Sequence, residues 1–407
     1  GARCYNCDKE WGLSEFSYLC PDCGENLGIV YDYAQISKVC DKEYFKQNKD
    51  YSIWRYLPLL PLESRNRLTL QIGWTPLYKV SDKDDFSFYI KDEGRNPSAS
   101  FKDRASAIAL VNAIEKGARL VTGASTGNAG SSMACLCANA GMPAYIFVPH
   151  KAPEAKIAQL LIFGAQVFGV KGTYDQAFDL CLQISEKFSL YNRNTGYNPY
   201  TREGKKTCSF EICEQLNWKV PDWVVVSVGD GNIISGIWKG FCDLKKIGII
   251  DRLPKIAGIQ SSLSNAIYKT VNKYKKQENI SVEEVTATTI ADSISVDFPR
   301  DGIAAVKAVV ESNGIALEVS DEEILRAIKI SANNWGIFGE PAGVTSIAGL
   351  IKMKEKNIIK DDEVVVSVMT GNGLKDIVSA MKVAGSPEFI NPDIDEAEKI
   401  KKKKIKL

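Results

Sequence analysis

The chain has 407 residues, 45% hydrophobic and 25% charged, enough for two or three domains and a sizeable core of an ordinary globular protein. Its 51 basic and 50 acidic side chains nearly cancel, so no strong field favours nucleic acid or an anionic membrane as a partner. A lone histidine, His150, argues against a Ser-His-Asp triad or a multi-histidine metal site. No apolar run approaches the ~18 residues of a membrane span, and the first residues lack a signal peptide's apolar core, so a cytoplasmic location is expected.

The cysteines divide into two groups. Cys4-Tyr-Asn-Cys7 and Cys20-Pro-Asp-Cys23 are C-x2-C pairs separated by residues 8–19. Each pair forms a tight knuckle that can present two thiolates to one tetrahedral ion. Four thiolates close the coordination shell, so Cys4, Cys7, Cys20 and Cys23 are expected to hold structural zinc. The alternative is a ribbon with four free or oxidised thiols. Gly24, Gly28 and the alternation in Leu27-Gly-Ile-Val-Tyr31 suggest a small stranded unit over residues 1–35. The remaining cysteines (Cys40, Cys135, Cys137, Cys181, Cys208, Cys213 and Cys242) are scattered and read as small buried hydrophobes.

Beyond a polar segment and Trp54-Arg-Tyr-Leu-Pro-Leu-Leu-Pro61, Phe86–Lys91 reads as a strand. Asn96 to Ser100 then supply turn and N-cap residues for a helix whose apolar period runs from Ala105 to Ile114. Lys102 falls in the first turn. A positive dipole end and partial burial both favour the neutral amine, lowering a pKa that starts at about 10.4. Such an amine is the nucleophile of Schiff-base chemistry; a simply solvated lysine is the alternative. Strand-like runs then alternate with helical periods: Leu120–Gly123 with Asn128–Asn139, Ala144–Val148 with Pro153–Phe163, and Gln166–Val170 with Tyr174–Phe188. A second series runs through Pro221–Val228, the helix after Gly231, Ile256–Ile259, Ala316–Val319 and Val364–Val368. This alternation predicts an α/β fold with parallel sheets flanked by helices. Two series predict two lobes within residues 36–390, the smaller over roughly 105–200, with a ligand cleft between them. The lysine-rich run in residues 391–407 reads as a solvated basic tail.

Three turns carry further chemistry. Gly229-Asp230-Gly231-Asn232-Ile233 follows an apolar strand and opens a helix, so its glycines and free N–H groups suit a phosphate ester. Ser125-Thr126-Gly127-Asn128 is a second strand-to-helix turn, whose donors can grip a carboxylate or merely cap the helix. Thr370 ends a buried strand at a Gly-Asn-Gly turn.

Asn96-Pro-Ser-Ala-Ser-Phe-Lys-Asp-Arg104 resembles the pyridoxal-phosphate lysine motif of threonine synthases. Gly123–Gly130, Val228–Asn232, Glu340-Pro-Ala-Gly343 and Met369–Asp376 resemble further motifs of that family, in the family's order, from about Gly73 to Ala380. The resemblance implies a two-lobed fold-type II pyridoxal-phosphate enzyme, and some of its members carry an N-terminal zinc ribbon. It implies that Lys102 holds the cofactor and moves protons, that Gly229–Ile233 cradles the cofactor phosphate, and that Ser125, Thr126 and Gly127 bind the substrate's α-carboxylate. Asn128 is implied near the ring hydroxyl and Thr370 beside the pyridine nitrogen. Tyr197–Thr207 matches a segment that helps bind the substrate's own phosphate, making Asn198, Arg202, Lys205 and Thr207 candidates. Arg104 is a further one. The family's arginine lies one or two residues before Arg202, and Ala99 stands where glycine is common. The implied reaction converts O-phospho-L-homoserine and water into L-threonine and phosphate. Rivals are a β-replacement synthase or a serine/threonine-type ammonia-lyase on the same fold and, from another class, an inactive zinc-ribbon binding protein. The partner is a small amino-acid substrate, and a homodimer is left open.

Overall fold

The computed structural model describes residues 1–64, 68–81, 86–152, 154–274, 280–387 and 389–394. Pro153 and the lysine run of the expected tail lie outside the described residues.

The chain opens with a ribbon of three short strands. Ala2–Cys4 pairs antiparallel with Glu10–Trp11 on one side and Leu27–Ile29 on the other. Its buried residues Ala2, Cys4, Leu27 and Ile29 share one apolar core cluster with residues of the smaller sheet described below.

The larger sheet runs Ile315–Val319, Lys255–Ser261, Trp223–Ser227, Val365–Met369, Ser87–Asp92, Leu77–Ser81. All neighbours are parallel except the last pair. Trp223-Val-Val-Val-Ser227 and Val365-Val-Ser-Val-Met369 are buried along their whole length. That follows from helices on both faces, which leave a central parallel strand no polar side. Val224, Val226, Val366 and Val368 pack with helices Asn232–Lys246 and Gly302–Glu311. Val225 and Val365 point the other way, towards helices Asp321–Trp335 and Pro341–Glu355. Each buried valine contributes at most roughly 1.5–3 kcal/mol, which makes these strands a firm base for the loops at their ends.

The smaller sheet runs Gln166–Val170, Ala144–Pro149, Val121–Ala124, Tyr191–Asn192, all parallel. In sequence it is inserted between Ser87–Asp92 and Trp223–Ser227 of the larger one. Helices Asn128–Ala140, Glu154–Ile162 and Tyr174–Lys187 connect its strands, each within two residues of its sequence-based bounds. Of the scattered cysteines, all are buried except Cys242, which is half-buried. No helix among the described residues is long and apolar enough to cross a membrane.

Candidate active site

Lys102 opens helix Lys102–Glu115, as its position in the motif predicts. Of the expected N-cap segment Asn96–Ser100, Ser100 supplies one long bond, accepting the Lys102 N–H on its Oγ at 3.4 Å; Phe101, the residue before the helix, is in helical conformation and makes no side-chain cap bond. The preceding residues fold back instead. Ala99 N–H donates to Asn96 O at 2.8 Å, Ala99 itself sits at φ +61°, and Asp103 accepts from Ser98 N–H at 2.6 Å. A left-handed backbone at position 99 explains the family's preference for glycine there. Phe101 N–H donates to Thr370 O at 2.8 Å, and Asn372 N–H to Ala99 O at 3.1 Å. Two turns far apart in sequence are thereby locked together, and Lys102 stands between them.

Lys102 lies where an open cleft of about 750 Å³ meets a narrow recess, and it lines both. Its amine is pushed down to about 8, chiefly by burial and secondarily by the nearby Arg193 guanidinium; Asp230 and Glu340 pull the other way. The neutral amine expected from the sequence is therefore the form within reach near neutral pH.

The recess is walled by the Gly229–Ile233 turn, Asn128, Glu340 and Thr370. Gly231 has φ +93°, and a Cβ there would lie 2.7 Å from both Asp301 O and Ala305 Cβ. Only glycine fits. The helix beginning at Asn232 has no side-chain cap, so its first N–H groups face the recess unspent. Asn232 is held from behind: its Nδ2 donates to Asp301 at 2.8 Å, and Lys205 Nζ donates to its Oδ1. Asp230 lines the same recess, and burial pushes its carboxyl up.

On the cleft side, Ser125, Thr126, Gly127 and Asn128 lead from Val121–Ala124 into helix Asn128–Ala140. Gly127 is the cap residue and makes no side-chain cap bond. Among the described residues, Ser125 Oγ accepts the Gly127 N–H alone, at 3.2 Å. This second free helix N-terminus suits a carboxylate. Asn128 Nδ2 donates to Glu340 Oε1 at 2.6 Å. Burial raises the Glu340 carboxyl to about 7, which sets a titrating acid beside Lys102. Glu340 opens the Glu340–Gly343 motif, and its burial is what singles it out.

The five residues expected to bind a substrate phosphate are not brought into the cleft. None of Arg104, Asn198, Arg202, Lys205 and Thr207 lines it or the recess. Arg104 is wholly buried between Glu93 and Glu211, at 2.7 and 2.6 Å. Arg202 pairs with Asp301, donates to Leu27 O at 2.7 Å, and stacks 4.3 Å from the centre of the Tyr5 ring. Asn198 Nδ2 donates to Asn192 O, and Thr207 Oγ1 donates to Gly204 O and accepts from Arg104. Gly204 explains this inward turn: a Cβ there would lie 1.9 Å from Arg104 O, so helix Tyr200–Lys205 rests directly on helix Lys102–Glu115. The cations that do line the cleft are Lys151, Lys156, Arg193 and Arg300, besides Lys102.

In the ribbon, the Sγ atoms of Cys4, Cys7, Cys20 and Cys23 all lie within 4.8 Å of one another. Cys4–Cys23 are 3.4 Å apart and Cys7–Cys20 3.7 Å. Tetrahedral zinc with Zn–S of ~2.3 Å requires sulfurs ~3.8 Å apart, so the four thiols are arranged compatibly with one ion.

Residues 68–371 match the family described as pyridoxal-phosphate dependent enzyme. A threonine synthase from Methanocaldococcus jannaschii is 39% identical over 406 residues, 98% of this chain and 99% of that protein. The chain belongs to the threonine synthase family. A threonine synthase from Methanosarcina acetivorans is also 39% identical, over 97% of this chain and 96% of its own. Among solved structures, the processed form of threonine deaminase isoform 2 from Solanum lycopersicum superposes with a TM-score of 0.65 at 25% identity, covering 77% of this chain and 88% of that one. Diaminopropionate ammonia lyase from Escherichia coli, at a TM-score of 0.66 and 16% identity over 84% of this chain and 95% of that one, shares the fold.

Pyridoxal phosphate, the cofactor of this family, is compatible with the residues present. The Gly231 turn leaves room where a Cβ would intrude, a helix N-terminus is free for its phosphate, and Lys102 is an amine of lowered pKa at the mouth of the recess.

Proposed function

We propose that this chain is a threonine synthase, converting O-phospho-L-homoserine and water into L-threonine and phosphate. The observation that carries the reaction is the 39% identity with named threonine synthases across nearly the whole chain. Pyridoxal phosphate, when bound, supplies the electron sink that lets protons leave carbons of the amino acid.

The chain's own residues supply the rest. Lys102 would hold the cofactor and carry protons at Nζ, a role its lowered pKa suits near neutral pH. Gly229–Ile233 binds the cofactor phosphate through the N–H groups of helix Asn232–Lys246, with Lys205 supporting Asn232 from behind. The N-terminus of helix Asn128–Ala140, with Ser125, Thr126 and Gly127, orients the substrate's α-carboxylate so that its Cα faces Lys102. Asn128, held by Glu340, and Thr370 would position the ring, and Glu340 lines the recess with Lys102 and acts on it electrostatically. Cys4, Cys7, Cys20 and Cys23 would hold a zinc ion that would keep the ribbon folded. With four sulfur ligands such an ion would have no open position for chemistry.

Phosphate release across a panel of phosphorylated and unphosphorylated amino acids tests the reaction. O-phospho-L-homoserine is expected to give phosphate and threonine in equal amounts. Ammonia and a keto acid formed from serine or threonine, with no phosphate from phosphohomoserine, would make the protein a deaminase on this fold.

A further inference from the structure

Buried cations in this protein come with carboxylates. Among the described residues, Arg55 pairs with Glu214, Lys91 with Glu211, Arg104 with Glu93 and Glu211, Arg202 with Asp301, and Lys206 and Lys239 with Asp243. Two buried cations have no ion-pair partner among them: Lys205 and Arg193. Lys205 can shed its proton, and burial drives it that way. An arginine cannot in the range where enzymes work, so Arg193 is a permanent charge, 3% exposed in the cleft wall, with no ion-pair contact among the described residues; the buried carboxylate of Asp103 favours its charge only from a distance. A buried unpaired charge is among the costliest arrangements a fold can keep. An anion that arrives with the ligand removes that cost.

The head group is held ready for one. Arg193 follows strand Tyr191–Asn192, and its N–H donates to Thr122 O at 2.9 Å, which fixes the loop against the smaller sheet. Asn194 Oδ1 accepts from Ala124 N–H at 2.8 Å, just before the Ser125–Asn128 turn. In the guanidinium, Nε and Nη2 donate to Ser106 Oγ at 3.1 and 3.0 Å, and Nη1 donates to Thr195 Oγ1 at 2.9 Å. These bonds to neutral hydroxyls fix the plane without neutralising it. One N–H on each of Nη1 and Nη2 keeps no partner among the described residues, so two charged donors remain for a phosphate. The other cleft cations are differently placed: Lys156 pairs with Asp292, Arg300 with Asp175, and Lys151 is exposed.

We propose that Arg193, steadied by Ser106 and Thr195, binds the phosphate of the substrate and so selects a phosphorylated amino acid over an unphosphorylated one. This assignment rests on the threonine-synthase reading of the same site. Arg193 lines the same cleft as Lys102 and the Ser125–Asn128 turn, whereas Arg202 and Arg104 are already occupied by carboxylates.

Arg193→Gln and Arg193→Lys, made in the cofactor-loaded enzyme, test it. Loss of one bidentate charge-assisted contact is expected to raise KM for O-phospho-L-homoserine and the inhibition constant of inorganic phosphate by about tenfold to a hundredfold. Binding of L-threonine, read from the cofactor's absorbance, is expected to stay within about threefold, a selectivity that a merely structural role would not show. Arg193→Lys keeps the charge and much of the packing, so it is informative even if the glutamine variant does not fold, and it is expected to lose about tenfold in phosphate affinity. Wild-type enzyme that releases no phosphate from phosphohomoserine overturns the reading of the reaction and this proposal with it. Wild type that turns it over, beside variants with unchanged phosphate inhibition or with equal losses for threonine and phosphate, overturns the role of Arg193 alone.

Discussion

Arg202→Ala separates two readings of the Tyr197–Thr207 segment. Its position in the family motif makes Arg202 a phosphate-binding side chain, whereas the structure buries it with 1% exposure against Asp301. The substitution strands the Asp301 carboxylate, which would keep only Asn232 Nδ2 and Ser235 Oγ as donors, each at 2.8 Å. It also releases Leu27 O, and with it one of the bonds that seat the ribbon. Breaking one side of a buried pair costs about 3–5 kcal/mol. At an unfolding entropy of roughly 2.1 cal/mol/K per residue, 407 residues unfolding as one unit carry about 0.85 kcal/mol/K, so the melting temperature should fall by about 4–6 °C. Scanning calorimetry of the cofactor-loaded variant measures this, and KM for phosphohomoserine is read on the same sample below the transition. KM is expected to change little. An unchanged melting temperature together with a KM raised tenfold or more would refute the burial argument and return Arg202 to the substrate.

Two further outcomes are expected. Because the Lys102 amine is lowered to about 8, its neutral form predominates only above that value, so covalent attachment of pyridoxal phosphate to cofactor-free protein should speed up with pH through about 8 and then level off. An attachment rate still climbing tenfold per pH unit beyond 9, or attachment retained in Lys102→Ala, contradicts the site. Protein purified without chelator should carry one zinc per chain, and removing it should expose four titratable thiols and loosen the ribbon while leaving the cofactor's spectrum in place; zinc far below one equivalent in fresh protein rules the ribbon site out.

The scaffold was legible because its signals are local. Runs such as Trp223-Val-Val-Val-Ser227 and glycines such as Gly231 announce a buried strand and a tight turn from their own composition. The burial of the cations of the Tyr197–Thr207 segment is not legible in the motif, which gives position along the chain, not which side of a helix is inside. Arg202 meets its carboxylate at Asp301, and Arg104 meets one of its own at Glu211, partners that no local pattern announces. Arg193 is invisible for the converse reason: its signal is an ion-pair contact missing among the described residues. Glu340 stood in a recognised motif, but an acid held near neutrality by burial shows itself only once its surroundings are known.

The strand order has a consequence for how the chain is made. Val365–Met369, the last strand of the larger sheet to leave the ribosome, belongs at its middle, between Trp223–Ser227 and Ser87–Asp92. Until it emerges, two apolar edges wait unpaired, the kind of edge that invites aggregation and chaperone attention. At roughly 5–20 residues per second, the interval from Asp92 to Val365 lasts on the order of 14–55 s. The bond from Phe101 N–H to Thr370 O forms after that, so the nucleophile made early is seated late. Nascent chains stopped short of residue 370 therefore hold every anion-binding turn described here and no working centre.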